Sequence, residues 1–149
     1  MSVQTIDIYL DTDPKSGAQM LLPMRNAAVS ASDAWDYALL AEGWNPGLYK
    51  VGPDGKPVQT TETLKIVTDP AAGTVTIRVP KTALPGDPTT WGYLAVVLSQ
   101  DGYGPNRVRD VNPKAEQWRG GGGPDDTNHT RIFDVAWVGT HTQEEMLSK

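Results

Sequence analysis

Turn residues cut this chain into short pieces, and that constrains its fold more than any other feature. Asp13–Gly17 (DPKSG), Asn45-Pro46-Gly47, Pro53-Asp54-Gly55-Lys56 and Asp69–Gly73 (DPAAG) each separate two runs short enough to be strands. With 15 glycines and 12 prolines in 149 residues, short elements and many turns are favoured over long helices.

The runs themselves alternate. From Val3 to Asp11 (VQTIDIYLD), Ile6, Ile8 and Leu10 fall on one side and Asp7, Tyr9 and Asp11 on the other, which predicts a half-buried strand. Leu21–Ala34 has no clear period and reads as loop with a helical turn. In Trp35–Trp44, Trp35, Tyr37 and Leu39 share a face. Asp54-Gly55 predicts a tight hairpin, and DPAAG a second one between Leu64–Thr68 and Thr74–Pro80, with Val75, Ile77 and Val79 inward. Pro80–Pro88 is a crossover. Trp91–Asp101 (WGYLAVVLSQD) is apolar through its middle, as expected of a central strand covered on both faces. Arg131–Gly139 is a last strand, and the tail EEMLSK a short helix or a frayed end. The prediction is an all-β, antiparallel β-sandwich forming one domain over residues 1–149.

A formal charge of −5 and a pI of about 4.9 set up a field that repels phosphate backbones and anionic lipids, so nucleic acid is not an expected partner. No apolar run approaches the roughly 20 residues that span a bilayer, so membrane insertion is not expected. The first residues, MSVQTIDIY, do not read as a signal peptide. There is no cysteine, hence no disulfide, thiolate metal site or cysteine nucleophile.

Enzyme signatures are few. His129 and His141 are the two histidines, no G-x-S-x-G occurs, and their separation fits neither a triad nor a zinc site. Gly120–Gly123 is followed by Pro124-Asp125-Asp126 where a phosphate loop needs lysine and a hydroxyl. Asp125, Asp126 and Asn128 beside those glycines are either turn formers or calcium ligands, and Asp11 with Asp13 offers a second such place. Of the five tryptophans, Trp35, Trp91 and Trp137 lie in strands and are expected inside. Trp44 and Trp118 lie in loops, where an exposed indole can stack on the C–H face of a pyranose. Arg107 and Arg109 share a face of an extended segment and are expected to pair with Asp101 or Asp110.

Three stretches together resemble one family: Gln4–Trp44, Trp91–Val111 (WGYLAVVLSQDGYGPNRVRDV) and Glu116–His129 (EQWRGGGGPDDTNH). They are similar to the C-terminal domain of glucodextranase, which also occurs on amylopullulanases and surface-layer-type proteins. The resemblance implies a DOMON-like β-sandwich, similar to family 9 carbohydrate-binding modules. It also implies a non-catalytic role in binding polysaccharide or cell-surface glycan, outside the cell, beside an α-glucan-degrading enzyme. Members carry further strands before the segment matching Gln4–Asp13, so the chain is expected to be a fragment or shortened form. Its opening strand would then have a free edge on which a second copy could pair.

These considerations give Trp44, Tyr103, Trp118 and Arg119 as carbohydrate-binding candidates and Asp125, Asp126 and Asn128 as calcium ligands, with no catalytic residue. The alternatives are a structural spacer or anchoring module without a sugar site, and a glycoside hydrolase without a recognised signature.

Overall fold

The computed structural model describes residues 4–13, 18–123, 127 and 129–138. Ten strands follow one another: β1 (Gln4–Asp11), β2 (Leu21–Leu22), β3 (Ala27–Ala28), β4 (Tyr37–Ala41), β5 (Gly47–Val51), β6 (Pro57–Gln59), β7 (Lys65–Asp69), β8 (Thr74–Arg78), β9 (Gly92–Ser99) and β10 (Asp134–Trp137). Helix is confined, among the described residues, to three-residue 3-10 turns at 31–33, 81–83 and 88–90. None is long and apolar enough to cross a membrane.

Six strands form one antiparallel sheet in the order β10-β9-β1-β4-β5-β6, while β2–β3 and β7–β8 are separate two-stranded sheets. The all-β antiparallel class is as predicted. The covering layers, however, are short hairpins and loops rather than a second sheet of equal size. Both predicted hairpins form, the first closed by Gly55 at φ 74°, a conformation that costs glycine nothing.

β1 lies in the middle of the sheet. Ile6 is opposite Ala41 on β4 and Val97 on β9, so both its edges are hydrogen-bonded to strands that come later in the chain. The free edge expected on the opening strand is therefore corrected, and the edges of the sheet are β10 and β6.

One face of the sheet carries the larger core, in which Tyr9, Ala38, Leu40, Leu94, Val96 and Leu98 pack against Leu22, Val29, Trp35 and Ile132. On the other face Leu39 and Leu48 meet Leu64, with Ile66 and Ile77 of the β7–β8 hairpin and Val79 against them. Three expectations change here. Trp35 sits on the larger-core side, its ring 5.2 Å from that of Tyr9, whereas Leu39 faces the other way, because the chain bends at Asp36 and Trp35 bridges to Gln19 outside β4. Val97 of β9 is 37% exposed and Val75 of β8 is 40% exposed, because the β7–β8 hairpin does not cover the second face completely.

The third change concerns β1. Its Asp7–Tyr9 side, polar by alternation, is the deeply buried one, with Asp7 and Arg25 both at 0% exposure. Arg25 donates to both carboxylate oxygens of Asp7, at 2.6 Å and 3.2 Å, and the Tyr9 hydroxyl donates to Asp7 at 3.1 Å. Burial pushes the Asp7 carboxyl up and Arg25 counters it. Burial and the neighbouring Asp7 also hold the Tyr9 hydroxyl well above its usual range, so it remains a neutral donor. Alternation separates two sides of a strand, but it does not show that an arginine far along the chain will make the polar side the inner one.

Candidate binding surface

β4 ends at Ala41, and Glu42 follows it with only 3% of its surface exposed. Its carboxylate accepts from the Asn45 backbone N–H at 3.2 Å, from the Asn106 N–H at 2.9 Å and from the Gln100 side chain at 3.3 Å. One buried charge therefore ties the loop carrying Trp44 to the loop carrying Tyr103. Both loops lie at the end of the sheet where β1 begins, since Gln4 is opposite Ser99 and Ile6 opposite Ala41.

Beyond β9 the chain doubles back. Val108 bridges Gln100, the Asp101 N–H donates to the Arg107 carbonyl, and the Arg109 N–H donates to the Ser99 carbonyl. Val108 packs on the larger core, so its neighbours Arg107 and Arg109 project from the opposite side of this extended segment. The Arg107 guanidinium lies 5.8 Å from the centre of the Tyr103 ring, and that of Arg109 lies 5.6 Å from the Trp118 ring, both within cation–π range. The expected pairing of Arg107 with Asp101 is present at 3.0 Å. Asp110 is instead engaged by Arg131, and Arg109 makes no ion pair among the described residues.

Trp118 stands at the tip of a tight turn in which Glu116 and Arg119 exchange backbone hydrogen bonds. The glycines that follow run against residues 110–113: the Gly120 N–H donates to the Asp110 carbonyl, and the Gly123 N–H donates to the Asn112 carbonyl. A Cβ at Gly123 would stand 2.2 Å from the Val111 carbonyl oxygen, and one at Gly120 would stand 2.4 Å from the Phe133 ring. The glycine run is thus a close-packed turn that fixes Trp118 beside Arg109. Gly123→Ala is expected to destabilise the domain by about 2–4 kcal/mol, since backbone must move to admit the methyl group, and a urea titration should show a lower midpoint.

The loop tryptophans are exposed as expected, Trp44 at 54% and Trp118 at 55%, and Tyr103 at 71%. Trp35 is buried, while Trp91 and Trp137 are half-buried, with indole N–H groups shielded from water and without a hydrogen-bond partner among the described residues. Arg119 pairs with Glu116 within its own turn, both side chains being largely in water. The calcium candidates Asp125, Asp126 and Asn128 lie outside the described residues, as do His141 and the tail EEMLSK. Among the described residues, buried Asp11 has no partner for its Oδ1, and no three acidic or histidine side chains converge as a metal cage. A cavity of about 60 Å³ beside Tyr9, Asp11, Asp33 and Tyr93 lies at the opposite end of the sheet. It is far below the roughly 300 Å³ at which small-ligand pockets begin, so it does not suit a sugar.

Sequence reasoning missed Glu42 as the organiser of the two loops and the arginines as supports for the rings. A carboxylate beside Gly43-Trp44 gives no local sign that its partners lie near residues 100 and 106.

An all-β fold that presents exposed aromatic rings on braced loops has the form of a binding module. The chain belongs to the family of C-terminal, SLH-like binding modules of glucodextranase, whose model matches residues 1–149. No curated protein and no solved structure is significantly similar to it. Membership implies a non-catalytic binding domain.

Proposed function

We propose that the domain binds polysaccharide or cell-surface glycan through the aromatic rim of Trp44, Tyr103 and Trp118, as an extracellular accessory domain beside an α-glucan-degrading or cell-surface activity. The observation that carries this reading is the exposure of three large aromatic side chains, 54%, 71% and 55%, on loops held by Glu42, Arg107 and Arg109. Holding these rings in water is unfavourable for the free protein, and a pyranose covering them would recover that hydrophobic energy. Arg107 and Arg109 place hydrogen-bond donors next to the rings, where sugar hydroxyls would lie. Arg119 is a further donor at the turn carrying Trp118, and calcium on Asp125, Asp126 and Asn128 would pin the chain just beyond the glycines.

Affinity electrophoresis in gels containing soluble α-glucans tests this directly. The domain should be retarded, and Trp118→Ala should weaken the retardation by about tenfold while leaving the melting curve in place, since the ring is already largely in water. Gels run with calcium and with EDTA address the metal in the same experiment. Unchanged retardation of a folded Trp118→Ala protein would remove Trp118 from the site, and no retardation of the parent in any glucan gel would count against an α-glucan ligand.

A further inference from the structure

At the end of the sheet away from the aromatic rim, β1 finishes at Asp11, opposite Gly92 at the start of β9. The two meet closely: a Cβ on Gly92 would stand 3.2 Å from the Asp11 Cβ and 3.7 Å from its Oδ2. Both line the cavity of about 60 Å³, and Ser32 and Asp33 of the 31–33 turn line it from another side. Asp11 is 9% exposed, and its Oδ1 is buried without a hydrogen-bond partner among the described residues. Burial pushes the Asp11 carboxyl up, and the carboxylates of Asp36, Asp13 and Asp33 push the same way, against one backbone hydrogen bond at Asp13. Asp36 is already engaged, since one of its oxygens accepts from the Thr12 N–H and hydroxyl and from the Asp13 N–H. Buried charges in proteins are paired or coordinate metals, and the charges acting most strongly on Asp11 have its own sign.

We propose that this cavity is a site for one hard divalent cation of the calcium class, held by the carboxylates of Asp11 and Asp33. Its lining offers oxygen donors and no imidazole, and the chain has no thiol, which suits calcium or magnesium rather than zinc. Calcium is favoured of the two, because it accepts irregular shells whereas magnesium demands a near-ideal octahedron. About 60 Å³ admits an ion with one or two waters, each water taking roughly 30 Å³. With two carboxylates at the cavity, the rest of the shell falls to water and backbone oxygens, which places the affinity near the 10⁻⁴–10⁻³ M, roughly, of extracellular calcium modules. The ion would clamp the end of β1 and the start of β9 to the 31–33 turn, so its work is structural. The site uses no residue of the rim and none of Asp125, Asp126 and Asn128, and it does not depend on the glycan reading.

Terbium luminescence tests the site, because Trp35 and Tyr93 line the cavity and would sensitise terbium bound in it. The full chain, stripped with EDTA and dialysed, is titrated with terbium chloride, and calcium chloride is then added in competition. It is also melted in calcium, magnesium or sodium chloride at equal ionic strength. Calcium should displace terbium and, at about 10 mM, raise the melting temperature by about 3–8 °C, with magnesium giving less than about half that shift. Both effects should persist within about twofold in the Asp125→Asn, Asp126→Asn protein, which lacks the other carboxylates considered for calcium. Adding Asp11→Asn should weaken terbium binding by about tenfold or more and remove the calcium shift. The metal-free Asp11→Asn protein should melt no lower than its metal-free parent, because the amide takes away a buried like charge. Asp33→Asn should weaken binding in the same way and serves as a second, independent variant. The proposal is overturned if the parent shows neither sensitised emission nor a calcium shift, if Asp11→Asn keeps both, or if both vanish in the Asp125→Asn, Asp126→Asn protein.

Discussion

Asp7→Ala is expected to lower the unfolding free energy by about 3–5 kcal/mol, because it leaves Arg25 charged, fully buried and without its counter-ion. The pair lies in the middle of the larger core, Asp7 on the central strand β1 and Arg25 in the turn between β2 and β3, with Asn106 as a further, weaker partner at 3.4 Å. The turn takes an unusual backbone to place it: Met24 and Asn26, on either side of Arg25, both have positive φ, 62° and 50°. Positive φ at a methionine costs of order 1 kcal/mol or more, and the fold accepts it so that the guanidinium enters the core. Asp7→Leu combined with Arg25→Met should recover most of the loss, since removing both charges leaves neither stranded. Urea denaturation of the three proteins gives the comparison. A loss below about 1 kcal/mol for Asp7→Ala would mean that water reaches the site and that the pair does not hold the hairpin to the sheet.

Glu42→Ala should combine a loss of stability with a loss of binding. Its carboxylate accepts three hydrogen bonds, and hydrogen bonds to a charged group are each worth about 1.5–3 kcal/mol. Removing it leaves the Asn45 and Asn106 N–H groups to find water, and a net cost of about 2–4 kcal/mol is expected after relaxation. The two loops then lose their common anchor, so retardation in glucan gels should fall as much as it does for Trp118→Ala. Glu42→Gln keeps one acceptor oxygen and should fall between the parent and alanine in both measurements. A Glu42→Ala protein that is less stable but still fully retarded would show that the loops keep their arrangement without the carboxylate, and that Trp44 and Tyr103 are placed by other contacts.

The parts of this domain legible in its sequence are those determined within a few residues. Asp54-Gly55 closes a hairpin because glycine accepts the left-handed conformation the turn requires, and the alternation of Thr74–Arg78 makes a strand whatever it pairs with. Trp44 and Trp118 are exposed because they lie in turns bounded by Gly, Pro or Arg, which cannot be packed into a core without stranding backbone groups. The run Gly120–Gly123 marks a place where side chains are not tolerated, though only the structure identifies the Val111 carbonyl and the Phe133 ring as what would collide.

Everything that depended on a distant partner was decided by the tertiary structure. The alternation in β1 divides Ile6 and Ile8 from Asp7 and Tyr9, but which side goes inside depends on Arg25 neutralising Asp7 from across the core. β1 was expected to have an open edge, and it is central because β4 and β9 return to it from much later in the chain. The rim is assembled in the same way, since Glu42, Arg107, Arg109 and the rings are ordinary residues apart and become a surface only when β4 and β9 end at the same end of the sheet, on either side of β1. Hydrogen bonds and ion pairs of this kind are short in space and long in sequence, so their chemistry can be read residue by residue, while their geometry exists only in the folded chain.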